Sequence, residues 1–379
     1  MKFNFHVSPN IKGALTTQNI MKELTIGLLV VFACGCAYYT SAFGISYGMH
    51  AIVLLACSLA TTFVCEMIFA KIMKKDVKTF IKNSFGWVTA IILTMMVPIS
   101  LKPYAIIIAT IFAIVVARLL FGGFGNNIFN PAAVGMAVVS SAFPTARIAD
   151  LMTSATPTGV VANAYHWLPA NETVLQSFLD SFHGFSSLAI GTYPGAIGET
   201  FTILILVIGV VLAVRNVIDW RVPTVYLGTI AVMTAIIAVL TGLGSYHGIP
   251  AIIWYPALHL VTGGIVYGAV FMLTDPVTNP TSAAGRVLFA MGAAILTVLL
   301  RMNSNLPEGC MFSILLMNMF TPMIEQALDG KQLDLKKKVY KMAACFAIVA
   351  LGVAFYAASS VEPVSQVASV LVEEMGAIL

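Results

Sequence analysis

Long apolar runs with at most one charged residue each recur along most of this chain, and they restrict its fold more than any motif does. They cover residues 24–43, 51–70, 85–101, 104–121, 195–214, 224–241, 251–273, 286–300 and 342–358, with two shorter runs at 131–143 and 310–324. A hydrocarbon core about 30 Å thick takes about 20 residues of helix to cross. In lipid the backbone must satisfy its own hydrogen bonds, which favours helix throughout. The expected fold is all-α: a polytopic transmembrane helix bundle of ten to eleven segments, a single membrane domain over residues 1–379 in contact with the lipid bilayer. Composition agrees, with 59% hydrophobic and 9% charged residues where a soluble domain carries about 25% charged. Residues 1–12 lack the apolar run of a cleavable signal, so the first helix is expected to stay.

The same numbers exclude some functions. A net charge of +4 reflects the lysines and arginines of membrane-protein loops, and no nucleic-acid partner is expected. There is no Gly-rich phosphate loop, no dinucleotide fingerprint and no CxxC pair. Cys34, Cys36, Cys57, Cys65, Cys310 and Cys345 all lie in apolar segments and read as small core residues, not as metal or iron–sulfur ligands. The histidines His50, His166, His183, His247 and His259 lack ligand spacing and read as interfacial side chains, mostly at outer helix ends.

Basic residues give the topology, because Lys and Arg accumulate in cytoplasmic loops. With the N-terminus inside and the runs alternating, 17 of the 20 Lys and Arg fall inside, the densest set between Lys71 and Lys82. Only Lys102, Arg147 and Arg301 fall outside. That places residues 145–196, read as the longest non-helical segment, on the outer face. Two Gly/Pro breaks, near 122–131 and 275–280, fall inside and are expected to approach each other around a cofactor or ion path. Helices ending near Pro98 and Arg118 precede one break, and helices near Asp275 and Arg301 belong to a second unit of opposite direction. An inverted repeat with broken helices is a transporter-type design. The organisation read from this is a first repeat at about 24–143, the outer segment at about 145–196, a second repeat at about 197–325, and a last helix at about 342–358.

Within the outer segment stands Asp150-Leu151-Met152-Thr153-Ser154-Ala155-Thr156-Pro157. By residue type alone this is equally a Ser/Thr-rich turn closed by Pro157 and a modification segment. It resembles the flavin-attachment motif of the Rnf and Na+-translocating quinone reductase families: Asp, two variable residues, Ser/Thr, Gly/Ser, Ala, Thr. Other runs carry the resemblance along the chain: Asn130-Pro131-Ala132-Ala133, Gly195-Ala196-Ile197-Gly198-Glu199-Thr200, Trp220-Arg221-Val222-Pro223, Thr274-Asp275-Pro276-Val277 and Pro307-Glu308-Gly309. The chain resembles the D subunit of the Rnf complex and, more distantly, the B subunit of the Na+-translocating NADH:quinone reductase. It departs from the family pattern at Asn10, where His is frequent, at Ala196, where Ser is frequent, and at Thr153-Ser154, where Ser-Gly is common. The quinone-reductase protein usually has a longer N-terminal extension, which favours Rnf.

The resemblance implies a flavin-bearing component of a bacterial inner-membrane complex that moves electrons between ferredoxin and NAD+, coupled to Na+ or H+. It would be one part of a translocating oxidoreductase, with no complete active site of its own. Thr156 would carry FMN through a phosphoester on the outer face. Asp150, Thr153, Ser154 and Ala155 would present the motif to an FMN transferase, and a noncovalent riboflavin would sit among the helices. Partners would be the other Rnf subunits, A, B, C, E and G. Acids beside the breaks are further candidates, since burying a charge in a membrane is costly: Asp275 and Glu199 for an ion path, with helix capping as the competing role. Glu66 is read as snorkelling to the Lys71–Lys82 loop. A stand-alone solute channel or transporter is the reading from another class; it would have no use for the Asp150–Thr156 run.

Overall fold

A computed structural model describes residues 16–169, 171–304, 309–330 and 332–361 of the chain, with side chains from 336 onward in the last stretch. Helix α1 (Thr17–Phe43) starts at Thr16, whose side chain accepts the Asn19 N–H, and ends at Gly44, where a φ of +107° turns the chain into α2 (Ile45–Ile72). Glycine has no Cβ to oppose that turn. Asp76 caps the short α3 (Val77–Ser84), and α4 (Gly86–Met96) follows. The fifth helix, α5 (Pro103–Ile111), continues as π turns over Phe112–Leu119; α6 is Pro131–Ala142. Three short helices come next, α7 (Pro157–Tyr165), α8 (Glu172–Asp180) and α9 (Gly184–Ile190). Helices α10 (Thr202–Val214), α11 (Arg221–Leu240) and α12 (Ala251–Val261) lead into α13 (Ile265–Tyr267), which continues as π turns over Gly268–Met272. The chain closes with α14 (Ala283–Asn303), α15 (Cys310–Leu328) and α16 (Gln332–Ser360).

Each apolar run of the sequence has its helix. Among the described residues, six are long and apolar enough to cross a membrane: α1, α2, α11, α14, α15 and the 336–360 part of α16. The pair α12 and α13 with its π turns, bent by 72° at residues 262–264, is apolar enough for a broken span or a re-entrant loop. The shorter apolar helices are α4, α5 with its π turns, α6 and α10. The doubtful run at 310–324 lengthens to 19 residues, whereas α6 keeps 12, about 18 Å of helix, too short for the hydrocarbon core. Helix α11 packs on α12, α14 and α16, and α2 packs on α1, α4 and α5.

The reading of 145–196 as non-helical is corrected. Its apolar residues recur at helical spacing, and α8 buries Val174, Leu175, Phe178 and Leu179 on one side. The segment is tied down at both ends by residues 95–102, the end of α4 and a turn at Ile99-Ser100 between two isolated bridges, Pro98 with Ala196 and Leu101 with Arg147. Ile148 N–H donates to Ser100 O (2.7 Å) and Lys102 N–H to Ala146 O (2.9 Å). At the far end Ile197 N–H donates to Val97 O (3.2 Å) and Gly198 N–H to Met95 O (2.9 Å). The Tyr39 hydroxyl on α1 donates to Gly195 O (2.7 Å) and accepts Gly195 N–H (3.1 Å). Non-helical backbone within a bundle thus finds protein partners. The end of α1 where Gly195 docks is about 40 Å of helix from Thr17, so this segment and the α2–α4 connection lie at opposite ends of the bundle.

Candidate functional site

Thr156 is placed by local chemistry. After a single 3-10 turn, Ala149–Leu151, the chain runs extended to Thr156, which N-caps α7, with Pro157 at the first helical position. Proline there gives up a donor no helix uses. The Thr156 hydroxyl accepts Gly159 N–H (3.2 Å) and lies 3.4 Å from the Thr158 hydroxyl. Pro157 therefore opens a helix; it does not close a turn. Thr153, Ser154 and Thr156 are half-buried, and Asp150 and Ala155 are exposed. The Tyr47 hydroxyl at the start of α2 reaches the carbonyls of Asp150 (3.4 Å) and Met152 (3.2 Å), holding this stretch to the bundle.

The two Gly/Pro breaks do meet, at the other end. Both helices that enter them finish in π turns: Leu120 N–H donates to Val115 O (3.0 Å) and Leu273 N–H to Gly268 O (2.8 Å). Such turns leave carbonyls without their usual partner, and they concentrate at functional sites. Two asparagine amides take up the slack: Asn130 Nδ2 donates to Met272 O (3.1 Å) and Asn279 Nδ2 to Leu273 O. Asn130 also caps α6, accepting Ala132 N–H (3.1 Å), while its own N–H donates to Asn318 Oδ1 on α15 (2.9 Å). Between the breaks lies a cleft of about 60 Å³, walled by Arg118, Phe124, Asn127, Asn130, Thr274 and Asp275.

Asp275 closes a turn of the break and also faces this cleft; the helix caps on either side are Leu273 and Ser282. Its carboxylate accepts Val277 N–H (3.2 Å) and the Thr278 hydroxyl (3.3 Å). Arg118, 2% exposed, stacks over Phe124 (5.4 Å) and contacts the Thr89 hydroxyl (3.4 Å). The carboxylates acting on it are Glu66 and Asp275. Glu66 does not snorkel: it is 0% exposed and accepts the Ser84 hydroxyl. Gly86 makes room, since a Cβ there would lie 2.1 Å from Glu66 Oε1. The signal available in sequence was the pairing of an acid inside an apolar run with Ser84 and Gly86 at the next helix start.

Glu199 sits elsewhere. It lines a cavity of about 290 Å³ toward the Thr156 end, with Arg147, Ser140, Tyr267 and Cys310 among the walls. It lies two residues ahead of Phe201, the N-cap position of α10, and so is not the cap of that helix. Asp275 and Glu199 therefore belong to different cavities, and Thr156 lines neither.

Two clusters escaped sequence reasoning. Arg301, 2% exposed, donates to the carbonyls of His259 (2.7 Å) and Thr262 (2.7 Å), which the bend between α12 and α13 frees. Its guanidinium lies 4.3 Å from the Trp167 ring, and Trp167 stacks on His259 at 4.8 Å. His259 is thus a buried side chain, not an interfacial one. The second cluster is at the other end: Arg286 donates to Asp219 (2.8 Å) and to Pro280 O (3.0 Å), tying the α10–α11 linker to the second break. Burial alone would raise the Asp219 carboxyl, but the Arg286 hydrogen bond, the Arg221 N–H and both guanidinium charges hold it below its ordinary range. The departure at Asn10 and residues Pro307 and Glu308 of the last resemblance run lie outside the described residues.

Broken helices buried in a bundle, with cavities at both ends, define a polytopic integral membrane protein whose irregular backbone is held by its own side chains. The chain belongs to the NQR2, RnfD, RnfE family, which matches residues 4–334. It is 31% identical over 330 residues to the D subunit of a proton-translocating ferredoxin:NAD(+) oxidoreductase complex of Clostridium ljungdahlii, covering 84% of this chain and 95% of that one. It is 32% identical over 320 residues to the D subunit of a Na(+)-translocating ferredoxin:NAD(+) oxidoreductase complex of Acetobacterium woodii, covering 84% and 91%. With the B subunit of a Na(+)-translocating NADH-quinone reductase of Chromohalobacter salexigens it shares 32% identity over 270 residues, 69% of this chain and 62% of that one.

Proposed function

We propose that this chain is the D subunit of a membrane-bound, ion-translocating ferredoxin:NAD+ oxidoreductase and relays electrons within it as a flavoprotein. The match covers nearly all of the ferredoxin-linked relatives but 62% of the quinone-reductase one, which favours the Rnf reading. Subunits A, B, C, E and G are its partners, in the bacterial inner membrane, with the N-terminus cytoplasmic and Thr156 outside. The charge asymmetry supports that orientation, since Lys71–Lys82 lie at the end of the bundle opposite Thr156.

One observation carries the covalent FMN assignment: the Thr156 hydroxyl is the N-cap of α7 on an anchored segment. A phosphoester there would set the phosphate at a helix N-terminus, where the unpaired N–H groups and the helix dipole favour an anion. Gly159 N–H and the Thr158 hydroxyl already converge on Oγ1. Asp150, the exposed first residue of the motif, is open to the transferase. Bound flavin supplies one- or two-electron chemistry, while the protein positions it. Thr156→Val should abolish the ultraviolet fluorescence of the denatured protein band while leaving insertion intact; undiminished fluorescence would sink the assignment.

A noncovalent riboflavin belongs to the same proposal. The cleft between the breaks offers amide and carboxylate groups for a ring's polar edge, from Asn127, Asn130 and Asp275. At about 60 Å³ it holds waters or an ion as it stands, so a ring would have to part its walls. The pairing of 24–143 with 197–325 as repeats rests on the transporter-like use of broken helices.

A further inference from the structure

The connection between α2 and α4 has no part in the electron relay proposed above. We propose that residues 71–84 form a docking surface for anionic phospholipid headgroups. Five lysines, Lys71, Lys74, Lys75, Lys78 and Lys82, stand within this stretch, and all are exposed. Its one acid, Asp76, is committed elsewhere: its carboxylate accepts the Thr79 N–H (2.9 Å) and hydroxyl (2.7 Å) as the cap of α3. Those hydrogen bonds hold the Asp76 carboxyl below its ordinary range, so it stays an acceptor and cap at neutral pH.

Geometry sets this charge at the membrane boundary. Helix α2 ends and α4 begins at the same end of the bundle, and α3 connects them there. It is amphipathic: Val77, Phe80, Ile81 and Ser84 turn toward the protein, and Lys78, Thr79, Lys82 and Asn83 turn away. Phe80 packs on Phe69 of α2 at 5.9 Å, and Lys75 Nζ lies 5.6 Å from the Phe80 ring. Ile72 and Met73, 71% and 50% exposed, set apolar side chains directly beside the lysines. An open notch of about 420 Å³ separates α3 from Gly122–Phe124, walled by Lys75, Thr79 and Asn83 and by Asp76, whose carboxylate is taken up by Thr79. Exposed apolar side chains, ammonium groups beside them and a polar notch match a phospholipid with a net negative headgroup.

The test uses the assembled complex, purified in mild detergent, with retained phosphatidylglycerol, cardiolipin and zwitterionic lipid counted by mass spectrometry. The variant combines Lys74→Gln, Lys75→Gln, Lys78→Gln and Lys82→Gln. A control of equal charge loss combines Lys336→Gln, Lys337→Gln, Lys338→Gln and Lys341→Gln at the start of α16. Headgroup affinity should fall by about fivefold per lysine removed at low ionic strength, and by less as salt is added. Anionic lipid should be lost from the first variant, kept in the control, and zwitterionic lipid should not change in either. Equal loss in both variants would mean a net-charge effect and would overturn the proposal. Unchanged anionic lipid would also overturn it, and if a partner protein were lost at the same time the surface would belong to that partner. Thermal stability of wild type in nanodiscs of phosphatidylcholine, with and without phosphatidylglycerol, gives a second reading: stabilisation by the anionic lipid should vanish in the first variant only.

Discussion

Replacing Arg301 with methionine tests whether one side chain holds the bend between α12 and α13. In the wild-type protein the guanidinium gives charge-assisted hydrogen bonds to two carbonyls, those of His259 and Thr262, each at 2.7 Å, and lies 4.3 Å from the Trp167 ring. Methionine fills similar volume but donates nothing. Two buried carbonyls left unpaired cost about 1–3 kcal/mol each, and a desolvated cation–π contact adds about 2 kcal/mol. Part of this is offset, because methionine has no charge to strip of water. The net loss should be about 2–5 kcal/mol, a fall in apparent melting temperature of about 5–10 °C for a chain of this size. Arg301→Lys, whose ammonium reaches one carbonyl at a time, should fall between. The assay is thermal unfolding in detergent, followed by a thiol-reactive dye in a background where the other five cysteines are replaced by serine, so that it reports on Cys310, which is 4% exposed in the folded state. If Arg301→Met melts within about 2 °C of wild type, the bend does not depend on the guanidinium and the reasoning fails.

Asp275→Asn should leave Thr156 flavinylated, since the two lie at opposite ends of the bundle, and should slow coupled turnover per assembled complex. Normal turnover in a reduced amount of complex would leave Asp275 only its turn-closing role toward Val277 and Thr278. In a background without native cysteines, Asn171→Cys at the start of α8 should react with an impermeant thiol reagent in intact cells; labelling only after lysis would reverse the topology. Asp219→Asn should cost about 1–2 kcal/mol, since Asp219 and Arg286 are 17% and 32% exposed. The Asp219 carboxyl is depressed in the folded state, so its contribution is full above the ordinary carboxylate value and is lost only as pH falls through the folded one. The stability difference between wild type and Asp219→Asn should therefore be flat from neutral pH to about pH 4 and shrink below; a difference already gone near pH 6 would rule the bridge out.

Much of the architecture was legible in the residue pattern, for local reasons. Apolar runs marked every membrane helix because the bilayer imposes length and apolarity residue by residue. Asn130-Pro131 announces a helix start, since an N-cap acceptor followed by proline suits the first turn; Thr156-Pro157 carries the same signal, which the reading of a turn closed by Pro157 missed. The run around Thr156 could be recognised because its residues are contiguous. Less legible was the helical content of 145–196, where α8 and α9 have only 9 and 7 residues. Helices so short draw their stability from packing more than from propensity.

What the sequence by itself determined, then, is which segments form apolar helices and which end of the bundle carries the lysines. Those properties are sums over neighbouring residues. Only the tertiary structure decided what happens where helices break. A π turn frees a carbonyl without naming the residue that will satisfy it, and Asn130 reaches Met272 across 142 residues. Glu66 is buried because Ser84 and Gly86 meet it across a helix interface, and Arg301 because a bend 39 residues earlier offers the Thr262 carbonyl. In a low-dielectric interior such groups must be paired, but the pairing depends on which distant elements fold against each other, and no local pattern encodes it.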